Sequence, residues 1–355
     1  SDGDMSFTAG VATYSGMVLV NGTDSVTINA IVSTKTDASP PVVDADPASA
    51  DYFTVVTSGS GVEKAGVNFA VTVTVYDIYG NLVDHGANDY DGVHTINFTS
   101  NATASPGGNS PVIPSSVSLT FSGGTATTVV GTDPFTLYNA SETPTISAED
   151  SVTTSINGTS DAITVNVGDL SYVKVTDSAG GVEVGSPTIT TDGSLTLYAS
   201  GYDAYGNYRS LESVTWVAGG DFDGSDLSSG SGTSTIFQPN NTGTGTVTAD
   251  HATATDDSTG TITVNPGEID HLEVTTTLVG NAIAGVGFDV TVTVYDAENN
   301  VKTDFAGAQY VDWEISGANS SPNGDQPTLP SDGDMSFTAG VATYSGMVLV
   351  NGTDS

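Results

Sequence analysis

Three segments share one pattern: FAVTVTVYDIYGN (69–81), LTLYASGYDAYGN (195–207) and FDVTVTVYDAENN (288–300). Apolar and polar residues alternate along them. Phe69, Val71, Val73 and Val75 fall on one face of the first, and Phe288, Val290, Val292 and Val294 on one face of the third. Successive side chains of a strand point to opposite faces, so this period predicts a half-buried strand. Each run closes on Tyr-Asp and a turn signal. Asp77 and Asp203 are suited to cap that turn through the carboxylate, while Gly80 and Gly206 supply a positive φ. Asn299 takes the glycine position in the third copy, and Asn is the next most tolerant residue there. Asp77, Asp203 and Asp296 are therefore expected to be turn caps rather than ligands.

The neighbouring segments recur too. TINFTS (95–100), VTWVAG (214–219) and VDWEIS (311–316) place Phe98, Trp216 and Trp313 at equivalent core positions. TISAEDS (145–151), TVTADHA (246–252) and VTINAIV (26–32) read as closing strands. DPASADYFTV (46–55), NVGDLSYVKV (166–175) and NPGEIDHLEV (265–274) each run from a last strand into a first strand. Boundaries near Pro47, Gly168 and Pro266 follow. Residues 1–47 are expected to be the closing strands of a third-type domain from a preceding repeat. Complete domains are expected over 48–167 and 168–266, and a domain lacking its last strand or strands over 267–355. Short junctions carrying Pro47 and Pro266 predict a semi-rigid array. With strands of about 30–35 Å, three domains would extend about 100 Å.

A longer period overlies this one. SDGDMSFTAGVATYSGMVLVNGTDS occupies 1–25 and returns unchanged as 331–355, a period of 330 residues. Either the chain is a window on a longer tandem array, or its two ends carry one assembly element. The first alternative favours one giant polypeptide. The second favours subunits polymerised by strand exchange between their ends, in the manner of β-augmentation.

The motif PG-x-x-D-H-L-x-V, read in PGEIDHLEV (266–274), and AG-x-x-F-x-V-T-V-T-V-x-D-x-x-G-N, read in AGVNFAVTVTVYDIYGN (65–81), resemble bacterial immunoglobulin-like domains of the invasin/intimin type. The resemblance covers essentially the whole chain. It implies an all-β fold of tandem immunoglobulin-like Greek-key β-sandwiches and serial display at a cell surface, as in adhesins, S-layer-associated proteins and giant surface proteins.

Composition narrows the functional classes. Against 42 acidic residues stand only Lys35, Lys64, Lys174, Arg209 and Lys302, for a net charge of −37. Little is left to neutralise phosphates, which argues against nucleic acid and against anionic membrane surfaces. The charge suits solubility at high concentration, high salt or bound divalent cations. Cysteine is absent, so disulfides and thiolate chemistry are excluded. No run long and apolar enough to span a bilayer appears.

Catalytic signatures are lacking: no G-x-S-x-G, HExxH or P-loop is present, and His85, His94, His251 and His271 sit at unrelated repeat positions. A non-enzymatic protein is expected. Calcium is the leading ligand expectation. DFDGSD (221–226) sets Asp221, Asp223 and Asp226 around Gly224 at a spacing that can wrap a hard cation, though without the downstream glutamate of an EF-hand. Asp89 with Asp91 is a weaker candidate, as are Asp2 with Asp4 and Asp256 with Asp257; all could simply be solvated turns. Asn21, Asn97, Asn101, Asn139, Asn157, Asn240, Asn319 and Asn351 begin N-x-S/T sequons, candidates for glycosylation. Lys174 alternates with Val173 and Val175, so it is expected to point outward, away from any core isopeptide.

The expectation is a repeat unit of a long extracellular filament, stalk or surface layer. Its partners would be identical repeats or subunits joined head-to-tail, with lateral fibre contacts. The alternative is an adhesin module that grips a host or glycan receptor. The longest polar insertion, NATASPGGNSPVIPSS (101–116), has no aromatic residue, which favours the spacer.

Overall fold

The computed structural model describes residues 4–354. Asp2, of the Asp2/Asp4 pair, therefore lies outside the described residues. The chain forms two compact units. One comprises Ser1–Asp169 with the turn Asp203–Asn207, the other Leu170–Tyr202 with Tyr208–Ser355. Both are built from β-strands, and the fold is a tandem of immunoglobulin-like sandwiches.

In the first unit, the expected alternation sets the packing. Along Val71–Asp77, Val71, Val73 and Val75 are fully buried, while Thr72 and Thr74 face outward. Those two threonines hydrogen-bond Thr127 at 2.8 Å and Thr125 at 3.1 Å across the strand pair. The sheet runs Thr125–Thr127, Val71–Asp77, Ala50–Thr57, Asn157–Thr159, Ile146–Asp150, Gly92–Ser100 and Ser116–Phe121 in spatial order. This order departs from sequence order, as a Greek key requires. It rolls around one core that includes Phe53, Phe98, Phe121, Phe135 and Ile146. The parallel pair Val62–Lys64 and Thr164–Asn166 closes one side.

The second unit holds two sandwiches. In one, Leu170–Thr176, Leu195–Asp203, Tyr208–Leu211 and Ser234–Phe237 face a second sheet containing Val214–Gly220, Gly243–Asp250 and Ile262–Asn265. Trp216, Phe222, Phe237 and Leu197 fill the space between them. The other has the sheet His271–Thr276, Phe288–Tyr295 and Val341–Met347, and the pair Gly307–Val311 with Gly333–Phe337. Its core is small: Val292, Val294, Phe337 and Ala342 are buried, with Trp313 only partly covered. Leu272 and Val274 are each 57% exposed. Their equivalents, Phe53 with Val55 and Val173 with Val175, are buried.

The first-strand equivalence thus holds for pairing, through Leu272 and Val274 on His271–Thr276, and not for burial, and of VDWEIS (311–316) only Val311 lies in a strand. Leu197→Ala, in the closed core, should cost about 2–5 kcal/mol. Leu272→Ala should cost within about 0.5 kcal/mol, as at an open surface. Urea unfolding of the two variants side by side checks the contrast.

Candidate functional site

The recurring site is the turn after each alternating strand. Asp77, Asp203 and Asp296 are fully buried, and each carboxylate is surrounded by donors. Asp77 Oδ1 accepts from the N–H of Tyr79 at 2.9 Å and of Asn81 at 2.8 Å. Asp203 Oδ1 accepts from Tyr205 and Asn207, both at 2.9 Å. Asp296 Oδ1 accepts from Glu298 at 3.1 Å and Asn300 at 2.7 Å. These are the expected caps, and Gly80, Gly206 and Asn299 carry the positive φ, at 82°, 83° and 66°.

The second oxygen does something the sequence reading missed. Asp77 Oδ2 accepts from Ala48 N–H at 2.8 Å, Asp203 Oδ2 from Gly168 N–H at 2.8 Å, and Asp296 Oδ2 from Gly267 N–H at 3.0 Å. Each donor lies in the junction that precedes its own alternating strand. Thr191 Oγ1 adds a 2.7 Å bond to Asp296. A junction held by a buried, charge-assisted hydrogen bond has a defined path.

The asparagine that ends each turn completes the clamp. Its Nδ2 donates to the aspartate: Asn81 at 2.8 Å, Asn207 at 2.7 Å and Asn300 at 3.0 Å. The same amide reads a backbone pair two residues apart. Asn81 donates to Val20 O at 2.9 Å and accepts from Gly22 N–H at 3.0 Å. Asn207 donates to Tyr138 O at 2.7 Å and accepts from Ala140 N–H at 3.0 Å. Asn300 donates to Asn240 O at 2.9 Å and accepts from Thr242 N–H at 3.3 Å. An amide side chain offers one donor and one acceptor side by side, so it matches such a pair as a neighbouring strand would. The middle residues are Asn21, Asn139 and Asn241, and this recurrence ahead of each closing strand was the signal available in sequence. Tyr205 OH sits where a Cβ on Gly66 would be, so the 203–207 turn is closely packed.

The expected cation loops use their carboxylates as caps. Asp223 Oδ1 accepts from Ser225 N–H and Oγ, both at 2.7 Å, and Asp226 Oδ2 accepts from Asp223 N–H at 2.9 Å. Asp221 Oδ2 is bound instead to Thr244 N–H at 2.7 Å. Asp89 accepts from Asp91 N–H, and Asp91 from Gly124 N–H. Asp256 and Asp257 accept from the N–H of His251 and Val175. Among the described residues no three His, Asp or Glu side chains gather as a metal-ligand cluster.

Among the sequons, Asn139 is buried and its Nδ2 bonds Thr103 Oγ1 and Ala104 O. Asn97 is half-buried on Gly92–Ser100. Lys174 points outward, with Glu183 at 2.6 Å.

One further cluster was illegible in sequence. Tyr90 OH bonds Asp150, whose Oδ2 lies 3.4 Å from His94 Nδ1, and the Tyr90 and His94 rings stack at 3.8 Å. Burial, then the Asp150 carboxylate, pushes the Tyr90 phenol far above its usual range. Burial raises Asp150, but bonds from Tyr90, Thr153, Val152 and His94 outweigh it and leave the carboxyl below its usual range. The cluster is a hydrogen-bonded support beneath the Gly92–Ser100 strand.

No family model matches the chain, and no curated protein matches it. Among solved structures it is similar to FdeC, a broadly conserved Escherichia coli adhesin, at 18% identity and a TM-score of 0.41, covering 86% of this chain and 91% of that one. It is also similar to invasin, a bacterial integrin-binding protein, at 16% identity and a TM-score of 0.31, covering 85% of this chain and 55% of that one. A Ca2+-stabilized adhesin with which an Antarctic bacterium binds ice matches at 15% identity and a TM-score of 0.20, covering 91% of this chain and 72% of that one.

Burial raises the Asp77 and Asp296 carboxyls, but their hydrogen bonds outweigh it and hold both below the ordinary value. A depressed native pKa contributes stability that is fully present above the unfolded value of about 3.9 and lost as pH falls through the native one. Urea unfolding between neutral pH and about pH 2 should show this acid loss. Asp77→Ala and Asp296→Ala should flatten it and cost about 3 kcal/mol each at neutral pH, by orphaning several N–H groups.

Proposed function

We propose that this chain is a spacer segment of a long extracellular or cell-surface protein, in which immunoglobulin-like sandwiches follow one another head-to-tail as a filament or stalk. The observation that carries the reading is the triple recurrence of the Asp–Asn clamp at 77/81, 203/207 and 296/300, each tying a junction N–H and an upstream backbone pair to one turn. A chain that needed only folded modules on loose tethers would have no use for it. The excess of carboxylates, at a net charge of −37, keeps such a polymer soluble where many copies are crowded together. The unchanged return of 1–25 at 331–355 supports serial copies.

For calcium, the proposal stays with the 221–226 loop. An entering cation would replace the Ser225 and Thr244 donors now held by Asp223 and Asp221. A melting temperature that rises with added calcium, and does so less in Asp223→Asn, would show that exchange.

The test of the main reading is the mass of native material boiled in SDS with EDTA. A band or ladder far above the 35.8 kDa of this chain is expected for a continuous serial polypeptide. A single band at that mass would overturn the covalent form. Separately, Asn300→Ala should speed amide exchange at Thr242 by about fivefold, since one hydrogen bond is worth about 1 kcal/mol.

A further inference from the structure

In each of the first two sandwiches the strand that opens the fold lies beside the strand that closes it, and the two run the same way. In the first sandwich this happens twice. Tyr52 on Ala50–Thr57 pairs parallel with Asn157, and beyond the 58–61 turn Val62–Lys64 pairs parallel with Thr164–Asn166. Thr164 N–H donates to Gly61 O and Ala65 N–H to Asn166 O, both at 2.8 Å. The second sandwich repeats the arrangement. Tyr172 bridges Thr255 in parallel, with Val173 N–H donating to Thr255 O at 2.9 Å and Thr255 N–H to Ser171 O at 3.0 Å. Further along, Thr188–Thr190 pairs parallel with Thr263–Asn265. There Thr263 N–H donates to Pro187 O at 3.0 Å and Thr191 N–H to Asn265 O at 3.1 Å. Ile163, Val165, Ile262 and Val264 on the closing strands are buried, so the core shields one side of each pair from water.

Strand direction decides what these bonds resist. A chain whose first and last strands are parallel enters a sandwich at one end of the pair and leaves it at the other. Tension on the chain then draws 62–64 back toward residue 48 and 164–166 forward toward residue 167. The two strands are driven past one another along their length. Their hydrogen bonds run from strand to strand across that direction, so they are loaded together. A pair pulled apart at one end opens instead one bond at a time. Both exits are braced as well. Lys64 Nζ lies 2.7 Å from Asp169 Oδ1 in the first sandwich. In the second, Gly267 N–H donates to Thr191 Oγ1 at 2.8 Å and Glu268 N–H to Asp192 Oδ2 at 2.6 Å.

We propose that these parallel patches bear mechanical load, each of the two sandwiches resisting tension along the chain by shear between its first and last strands. The tension arrives through the modules before and after, so this inference rests on the serial reading above and adds what a module does within the series.

The test stretches the full chain from its two ends, one molecule at a time. Unfolding steps whose lengths match 48–167 and 168–266, at about 3.3–3.6 Å per residue, identify the two sandwiches. The chain has no cysteine, so the handles can be moved to Ser60→Cys and Asp161→Cys, exposed positions at the same end of the first pair. Load applied there peels the pair open bond by bond. The first sandwich should then yield at a force at least about twofold lower than under end-to-end load, because forced unfolding follows the barrier along the direction pulled. Thr164→Pro removes the Thr164 N–H and should lower the end-to-end force of the first sandwich, with the second unchanged in the same molecule. Leu119→Ala empties part of the core beneath the far edge strand Ser116–Phe121. It should lower the urea midpoint of the first sandwich and leave its unfolding force unchanged. Equal forces in the two pulling directions, or a force loss in Leu119→Ala as large as in Thr164→Pro, overturns the proposal. The change of handles leaves the pair intact, so it decides even where Thr164→Pro prevents folding. The mass in SDS tests the covalent series alone, so the two readings fail separately.

Discussion

A buried carboxylate with all its lone pairs engaged is the point on which the rest of the molecule depends. Burying a lone ionised aspartate costs several kcal/mol, and three such groups recur here with none exposed. Each is tolerated because backbone and side-chain N–H groups converge on it from three directions. Two come from its own turn, one from the junction, and the asparagine amide adds another. Removing any direction leaves charge or donors uncompensated, so the turn, the junction and the upstream backbone pair are held together. A turn cap thereby becomes a device that orders chain well outside the turn.

The same logic explains why the sandwiches differ in completeness. The clamp forms in all three. Core closure does not, because it requires the strand that covers the last edge. In the first two sandwiches that strand follows in the chain, and Phe98 and Trp216 are buried beneath it. In the third, Trp313 is only half covered, and Leu272 and Val274 lie open. Full burial of two such side chains is worth about 1.5–3 kcal/mol each, a contribution the first two cores have and the third lacks.

Much of this was legible in the residues. The alternation of Val71, Val73 and Val75, the Asp caps, and Asn299 standing in for glycine all follow from side-chain period and backbone sterics. The second role of Asp77, Asp203 and Asp296 was not legible, because a junction N–H that donates across roughly 30 residues leaves no periodic trace. Nor was the Tyr90–Asp150–His94 cluster, in which Asp150 lies 60 residues from Tyr90 and meets it only through strand register. The 221–226 loop illustrates the opposite problem. Its aspartates have ligand spacing, yet a capping box uses the same residues at the same intervals, and spacing alone does not distinguish the two.

The duplicated segment separates the two contributions within one molecule. Both copies make the same turns. Ala9 and Gly10 have φ of 52° and 81°, Ala339 and Gly340 have 48° and 81°. Thr8 and Thr338 each donate to the valine three residues on at 2.9 Å. Asn21 and Asn351 each cap the threonine two residues later. These features are closed by atoms within a few residues, so the sequence determines them wherever it occurs. Burial is another matter. Phe7 is 57% exposed and Phe337 is 5% exposed. Only the second copy finds Phe288–Tyr295 and Gly307–Val311 to pair with, and an apolar side chain leaves water only where other strands complete its surroundings. That choice belongs to tertiary structure, since 25 identical residues cannot carry it.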